Sequence, residues 1–391
     1  MAFALSFTAC KKNDETSIPE ASKVEATSAI NTSAEQTYND IVSITQSEGV
    51  DALRSMNGIM DNSGANPFAR MSEATKKEQI LDKIRRFKNI FTPSNKTIGF
   101  GRVAASDRFE FDAHLGTYTW NSESKSWDTT ATSNPTSIVL NFPSDTNSTT
   151  NDAVLTISKY TDIAVTKDNG EEEIPAEPLR LGTVTTEYMP TSIEAELKIA
   201  SVKQASLSLT ASYNTSNGNP TSLSVTLFVN PFTEKTTFST SGSVLALDTY
   251  IDKTGVSSHI LSEGISVTMG DVANFKDPQK VNNMYIQARD LKVSGSLDIK
   301  SMESDTSTSM TKKFNKFANI NLYNYTSGAK LGKFEMVEFT TVDTSFGGNM
   351  ETKSNDLYIK FNDGTQETAE SFFKKHMDKI SDFIKNDLFK K

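Results

Sequence analysis

The amino-acid sequence predicts an α+β fold: a long, curved antiparallel β-sheet body with amphipathic helices at the N- and C-termini. Three observations lead there. Apolar residues recur at helical spacing near both ends of the chain, but at every second position through much of the stretch from about 98 to 365. The alternating runs set one apolar face against one rich in Ser, Thr, Glu and Lys, the pattern of a sheet covered on one side. Helices flank the strands instead of alternating with them, which argues against a doubly wound fold.

Residues 1–9 form an apolar run ending in the small residues Thr8 and Ala9, followed by Cys10, the one cysteine of the chain, and then by Lys11-Lys12-Asn13-Asp14-Glu15. This is the order of a lipoprotein processing site. The apolar segment enters the membrane, small side chains admit a peptidase, and the thiol is the nucleophile that accepts a diacylglyceryl group. Cys10 is the candidate lipidation site, and residues 1–9 are the remnant of a signal peptide. Such peptides have a basic start and roughly 15 to 30 residues. Only nine residues precede Cys10 and none is basic, so Met1 is expected to lie inside a longer precursor. The alternative is a cytosolic protein with a frayed apolar terminus and an incidental thiol. Residues 10–34, poor in large apolar groups, read as a lipidated, flexible tether.

Residues 35–97 read as a helical region. Tyr38, Ile41, Val42 and Thr45 share one face, and Val50, Leu53, Met56 and Met60 continue at helical spacing beyond Gly49. A second helix opens at Ser72 and carries Ile80, Leu81, Ile84, Phe87 and Phe91. The period of two begins with Phe109, Phe111 and Ala113 and is clearest from Ile193 to Val229. There the loop Asn214-Thr215-Ser216-Asn217-Gly218-Asn219 joins two alternating runs as a hairpin. Further strands are expected at 236–250, 256–269, 284–299, 316–323, 332–342 and 356–361, completing a β body over 98–365. Residues 366–391 close the chain as an amphipathic helix through Phe372, Phe373, Met377, Ile380, Phe383, Ile384 and Leu388.

The net charge of −9 argues against nucleic-acid binding, which needs a basic surface. No catalytic constellation stands out, so no catalytic residue, metal site or cofactor is expected and the chain reads as a non-enzyme. His114, His259 and His376 are not at helical ligand spacing, and no Gly-x-Ser-x-Gly elbow marks a serine. Glu171-Glu172-Glu173, beside Asp168-Asn169-Gly170, reads as a solvated loop, and Gly99-Phe100-Gly101 lacks the βαβ setting of a nucleotide fold. Tyr118, Trp120 and Trp127 flank a hairpin; as surface aromatics they could stack on sugar rings, while the plainer expectation is cross-strand packing.

The lipobox-like run before Cys10, the acidic tag Lys11-Lys12-Asn13-Asp14-Glu15 and Asp128-Thr129-Thr130 together resemble outer-membrane and surface lipoproteins of Bacteroidota. Phe109-Glu110-Phe111-Asp112-Ala113-His114 with Tyr118-Thr119-Trp120, and Phe361-Asn362-Asp363-Gly364-Thr365, extend the resemblance along the chain. It implies a lipid anchor in the outer membrane, on the cell surface or the periplasmic side, and O-glycosylation at Thr129. It carries over no activity. The expectation for function is an anchored, non-catalytic binding or accessory subunit with an outer-membrane protein partner. The alternatives are a carrier of lipid or another apolar ligand and, last, a glycan-active hydrolase.

Overall fold

The computed structural model describes residues 22–62, 103–104, 108–145, 147–168, 184–307, 309–343 and 350–374. Cys10 and its flanks, the helix expected from Ser72, Gly99–Gly101, Glu171–Glu173 and His376 lie outside the described residues.

Helix α1 (Lys23–Thr45) opens with a capping box. The Ser22 hydroxyl accepts from the Glu25 amide, while the Glu25 carboxylate accepts from the Ser22 amide at 2.6 Å. Residues 23–34 are therefore helix and not tether. The shortage of large apolar groups there is real, but Ala26 and Ile30 are fully buried, and small side chains let a helix lie close on a sheet. The buried stripe of α1 runs Ala26, Ile30, Ser33, Thr37, Asp40, whereas Tyr38, Val42 and Thr45 are only half-buried. Helix α2 (Glu48–Asn62) follows a break at Gln46–Ser47. Gly49 falls in its first turn because a Cβ there would sit 2.8 Å from the backbone oxygen of Gln204.

The strands are β1 (Val103–Ala104), β2 (Gly116–Asn121), β3 (Ser126–Thr130), β4 (Ile138–Phe142), β5 (Ala153–Asp168), β6 (Val184–Ile199), β7 (Val202–Tyr213), β8 (Pro220–Val229) and β9 (Phe232–Ser241). They continue with β10 (Val244–Lys253), β11 (Leu261–Asp271), β12 (Lys276–Ala288), β13 (Leu291–Leu297), β14 (Ala318–Asn324), β15 (Lys330–Asp343), β16 (Met350–Phe361) and β17 (Gln366–Thr368). From β4 to β17 each strand pairs antiparallel with the next, so one long meander makes one sheet. β2 lies between β3 and β4 and runs parallel to β4. β1 pairs with Tyr188 and Glu187 of β6. The sheet is thus mixed at one place, where antiparallel pairing throughout was expected; alternation reports faces, not strand direction.

Between β13 and β14 the chain leaves the sheet for α3 (Ile299–Ser304) and α4 (Met310–Phe317), capped by Asp298 and Ser309. Asn315 fixes α4 to β15 by bonding the Met336 backbone in both directions, at 2.9 and 2.8 Å. After β17 the chain turns helical at 369–374 (α5), so 366–368 is strand where helix was expected.

Other expected strands are divided by tight turns. The run 236–250 breaks at Gly242 and 284–299 at Arg289, both with positive φ, and 256–260 is a connection. Phe111–His114 is a 3₁₀ turn, not a strand. The rings of Phe109 and Phe111 both lie against Tyr160, with centroids 5.1 and 6.4 Å away. Arg108 ties this segment down through a two-pronged pair with Asp162 at 2.9 and 2.7 Å.

The register carries one sheet face across the molecule. Ala205 pairs with Val229, Val229 with Phe232, and Phe232 with Lys253. Two residues before Lys253, Ile251 pairs with Leu261, which leads through Ala288 to Leu291. Ala205 packs in the cluster under α2 with Ala52, Met56, Ile59, Leu140, Phe142 and Leu197. Leu291 packs in the cluster under α1 with Ala26, Ile30, Leu322, Ile359 and Phe372. Both N-terminal helices therefore lie on the same face. No described helix is long and apolar enough to cross a membrane.

Candidate ligand-binding face

Between the two helix-covered clusters, the helix-bearing face continues over β8 to β12. Its phase is read directly from the strands: Val225 and Leu227 on β8, Glu234, Thr236 and Phe238 on β9, Leu247, Thr249 and Ile251 on β10, Leu261, Glu263 and Ile265 on β11, Ile286 on β12. Val225, Phe238 and Leu247 are buried. Leu227, Ile251, Leu261 and Ile265 are half-buried, and Ile286 is 59% exposed. An apolar strip of this kind, partly open and flanked by two packed cores, is a candidate surface for apolar groups.

Two carboxyls interrupt the strip. Glu234 pairs across the ladder with Ile251, and Glu263 with Thr249, so they stand on either side of β10. Neither forms a hydrogen bond or ion pair with another described residue. Burial pushes both carboxyls above the ordinary glutamate value, and the Glu263 charge adds to the rise at Glu234. Thr236 and Thr249 between them share a hydroxyl hydrogen bond of 3.0 Å. These glutamates escaped the sequence reading, although a signal was present: each occupies the apolar phase of an alternating strand.

At the edge of the strip, α1 meets the sheet through charge. The buried Asp40 carboxylate takes Lys253 at 3.0 Å on one oxygen and Arg289 on the other. Lys253 also lies 5.2 Å from the centre of the Phe232 ring. Arg289 is in the turn after β12 with φ 51°, and its Nε is buried without a partner. One turn and two turns before Asp40, the Thr37 and Ser33 hydroxyls are buried without partners as well. On α2's side, Gln204 joins the first turn of the helix to the β8–β9 turn. It donates to Glu48 at 2.7 Å and accepts from Asn230 at 3.1 Å.

The residues singled out from sequence fall elsewhere. Trp120 and Trp127 are a cross-strand pair with ring centroids 5.5 Å apart, on β2 and β3. They and Tyr118 are half-buried against the α2 cluster, and the Tyr118 hydroxyl donates to the His114 carbonyl at 3.0 Å. The packing across the hairpin accounts for one side of each ring, and the rest of each stays half-open. Thr129 is exposed on β3, the edge strand of the sheet, where a modifying enzyme can reach it. His114 stacks on Phe109 at 5.5 Å. His259 meets Asp252 at 2.5 Å between Nδ1 and Oδ1, beside Tyr250. Among the described residues no hydroxyl or thiol hydrogen-bonds the ring of His259. No three described His, Cys, Asp or Glu gather as a metal cluster.

A groove of about 340 Å³ runs between α1 and the turns around β13–β15, lined by Glu25, Ser28, Thr32, Asp290, Asn324 and Ser327 among others. Its lining is mainly polar, and three of these groups already have local partners: Glu25 serves the cap of α1, Asp290 accepts from Thr326, and Asn324 from the Ser327 amide. No family model, curated protein or solved structure matches this chain.

Proposed function

We propose that this protein is a lipid-anchored, non-catalytic binding lipoprotein of the outer membrane, and that the strip on β8–β12 holds an apolar ligand. The observation that carries the reading is the partly open row Leu227, Ile251, Leu261 and Ile286, set between two helix-covered cores on one sheet face. A sheet that served only as scaffold would gain by covering these side chains, since burial of apolar area is favourable at roughly 25 cal/mol per Å². Glu234 and Glu263 within the row favour an amphiphile with a hydrogen-bond-donating head over a plain hydrocarbon, because they offer acceptors that no described side chain uses. The anchor at Cys10 would place this face at a membrane surface, where such molecules are found.

The second reading is an accessory subunit that docks an outer-membrane protein, favoured by the lipidation signature around Cys10. Purification of tagged full-length protein in mild detergent, with a Cys10→Ala control, followed by native mass spectrometry separates the two. A co-purified lipid retained by the control supports carriage. A stoichiometric membrane protein lost in the control supports docking, and an empty, solitary chain counts against both.

A further inference from the structure

The two halves of α1 are held to the sheet by different forces. From Lys23 to Ile30 the contact is apolar: Ala26 and Ile30 enter the cluster around Leu291, Leu322 and Ile359. This half is also tied at its start, where the Lys23 amide donates to Asp363 at 3.0 Å and its ammonium meets Glu367 at 3.0 Å. From Ser33 onward the buried stripe is polar. Ser33 is 2% and Thr37 5% exposed, yet neither hydroxyl finds a partner. A buried hydroxyl that has lost water without gaining a hydrogen bond opposes docking. Two described ties from this half to the sheet run through Asp40, to Lys253 at the end of β10 and to Arg289 in the turn after β12. Beyond the helix break, α2 is again seated by an apolar cluster through Ala52, Met56 and Ile59.

We propose that residues 33–45 of α1 form a releasable lid at the edge of the β8–β12 strip, with Asp40 as its latch. The lid is fixed at either end by apolar contacts that stay in place while the middle lifts. Opening returns the Ser33 and Thr37 hydroxyls of the moving segment to water, and with them the Arg289 Nε on the sheet beneath it. What the lid admits rests on the ligand-binding reading above; the lid itself does not.

Hydrogen–deuterium exchange on the full chain tests it. Amides of 33–45 are expected to exchange about tenfold faster or more than those of 23–31 and 52–59, as a local opening below the global one requires. Asp40→Asn should speed exchange in 33–45 by a larger factor than in 52–59 and β4–β6. Ser33→Ala with Thr37→Val, which removes the stranded hydroxyls and keeps the shape, should slow it. Equal protection across α1 in the unaltered chain would overturn the proposal, as would an Asp40→Asn variant that exchanges faster everywhere alike. If the lid opens as described while no lipid co-purifies, the lid stands and the ligand reading fails.

Discussion

The apolar and polar halves of α1 offer the sharpest contrast in the molecule. Both are helical, both are buried, and both belong to one continuous element of 23 residues. Ala26 and Ile30 seat the first half by removing hydrocarbon from water, a contact that is non-directional and tolerant of small shifts. Ser33, Thr37 and Asp40 seat the second half through polar groups, of which Asp40 alone is satisfied. Burial by itself therefore does not say whether an element is firmly held; the chemistry of the buried stripe does.

Substitutions can break this contrast or sharpen it. Ile30→Ala should cost the most, about 2–5 kcal/mol in urea unfolding, because it opens a cavity in the packed cluster under α1. Asp40→Asn comes next at about 3 kcal/mol, since it leaves the nearly buried Arg289 without its counter-charge. The difference in thermal midpoint between the parent chain and Asp40→Asn should change little with added salt, because the Asp40–Arg289 pair is buried. Gly49→Ala should cost about 1–3 kcal/mol by forcing α2 away from the Gln204 backbone, and near-neutral unfolding would refute that close approach. Thr37→Val should be neutral or stabilising by up to about 1 kcal/mol, the opposite sign to Ile30→Ala two turns earlier on the same stripe.

The smallest effect is a pH dependence. Glu234 and Glu263 hold their protons more tightly when folded than when unfolded, owing first to burial. Their contribution to stability is complete below the ordinary glutamate value of 4.5 and is lost as pH rises through the folded value. Glu234→Gln should flatten the stability profile above that point and leave it unchanged below. A steeper decline with pH in the variant would contradict the assignment.

Much of the fold is legible in the sequence, and the reasons are local. Alternation marks β7 and β8 because each residue of Ala205, Leu207, Leu209 and of Leu223, Val225, Leu227 reports its own face. The loop at Asn214–Asn219 reads as a turn, and Gly218 adopts the positive φ that its residue type suits. Helix α1 is less legible at its start because Ala26 and Thr27 look like tether when size is taken as the measure of burial. The parallel β2–β4 pairing leaves no trace in residue type. Of the binding face, Glu234 and Glu263 are visible as charges in an apolar phase. Asp40 is not, since its partners are 213 and 249 residues away and only the sheet's register brings them to it.

The claim that the β8–β12 strip binds apolar ligands is tested most directly by titrating the full chain with an environment-sensitive apolar fluorophore, beside Ile251→Glu and Ile286→Glu variants. Ile286 is exposed, so its variant should unfold like the parent chain. The account predicts saturable binding by the parent, weakened about tenfold or more by a charge placed on the strip. Equal binding by the parent and by Ile286→Glu would place the apolar site elsewhere and contradict the account.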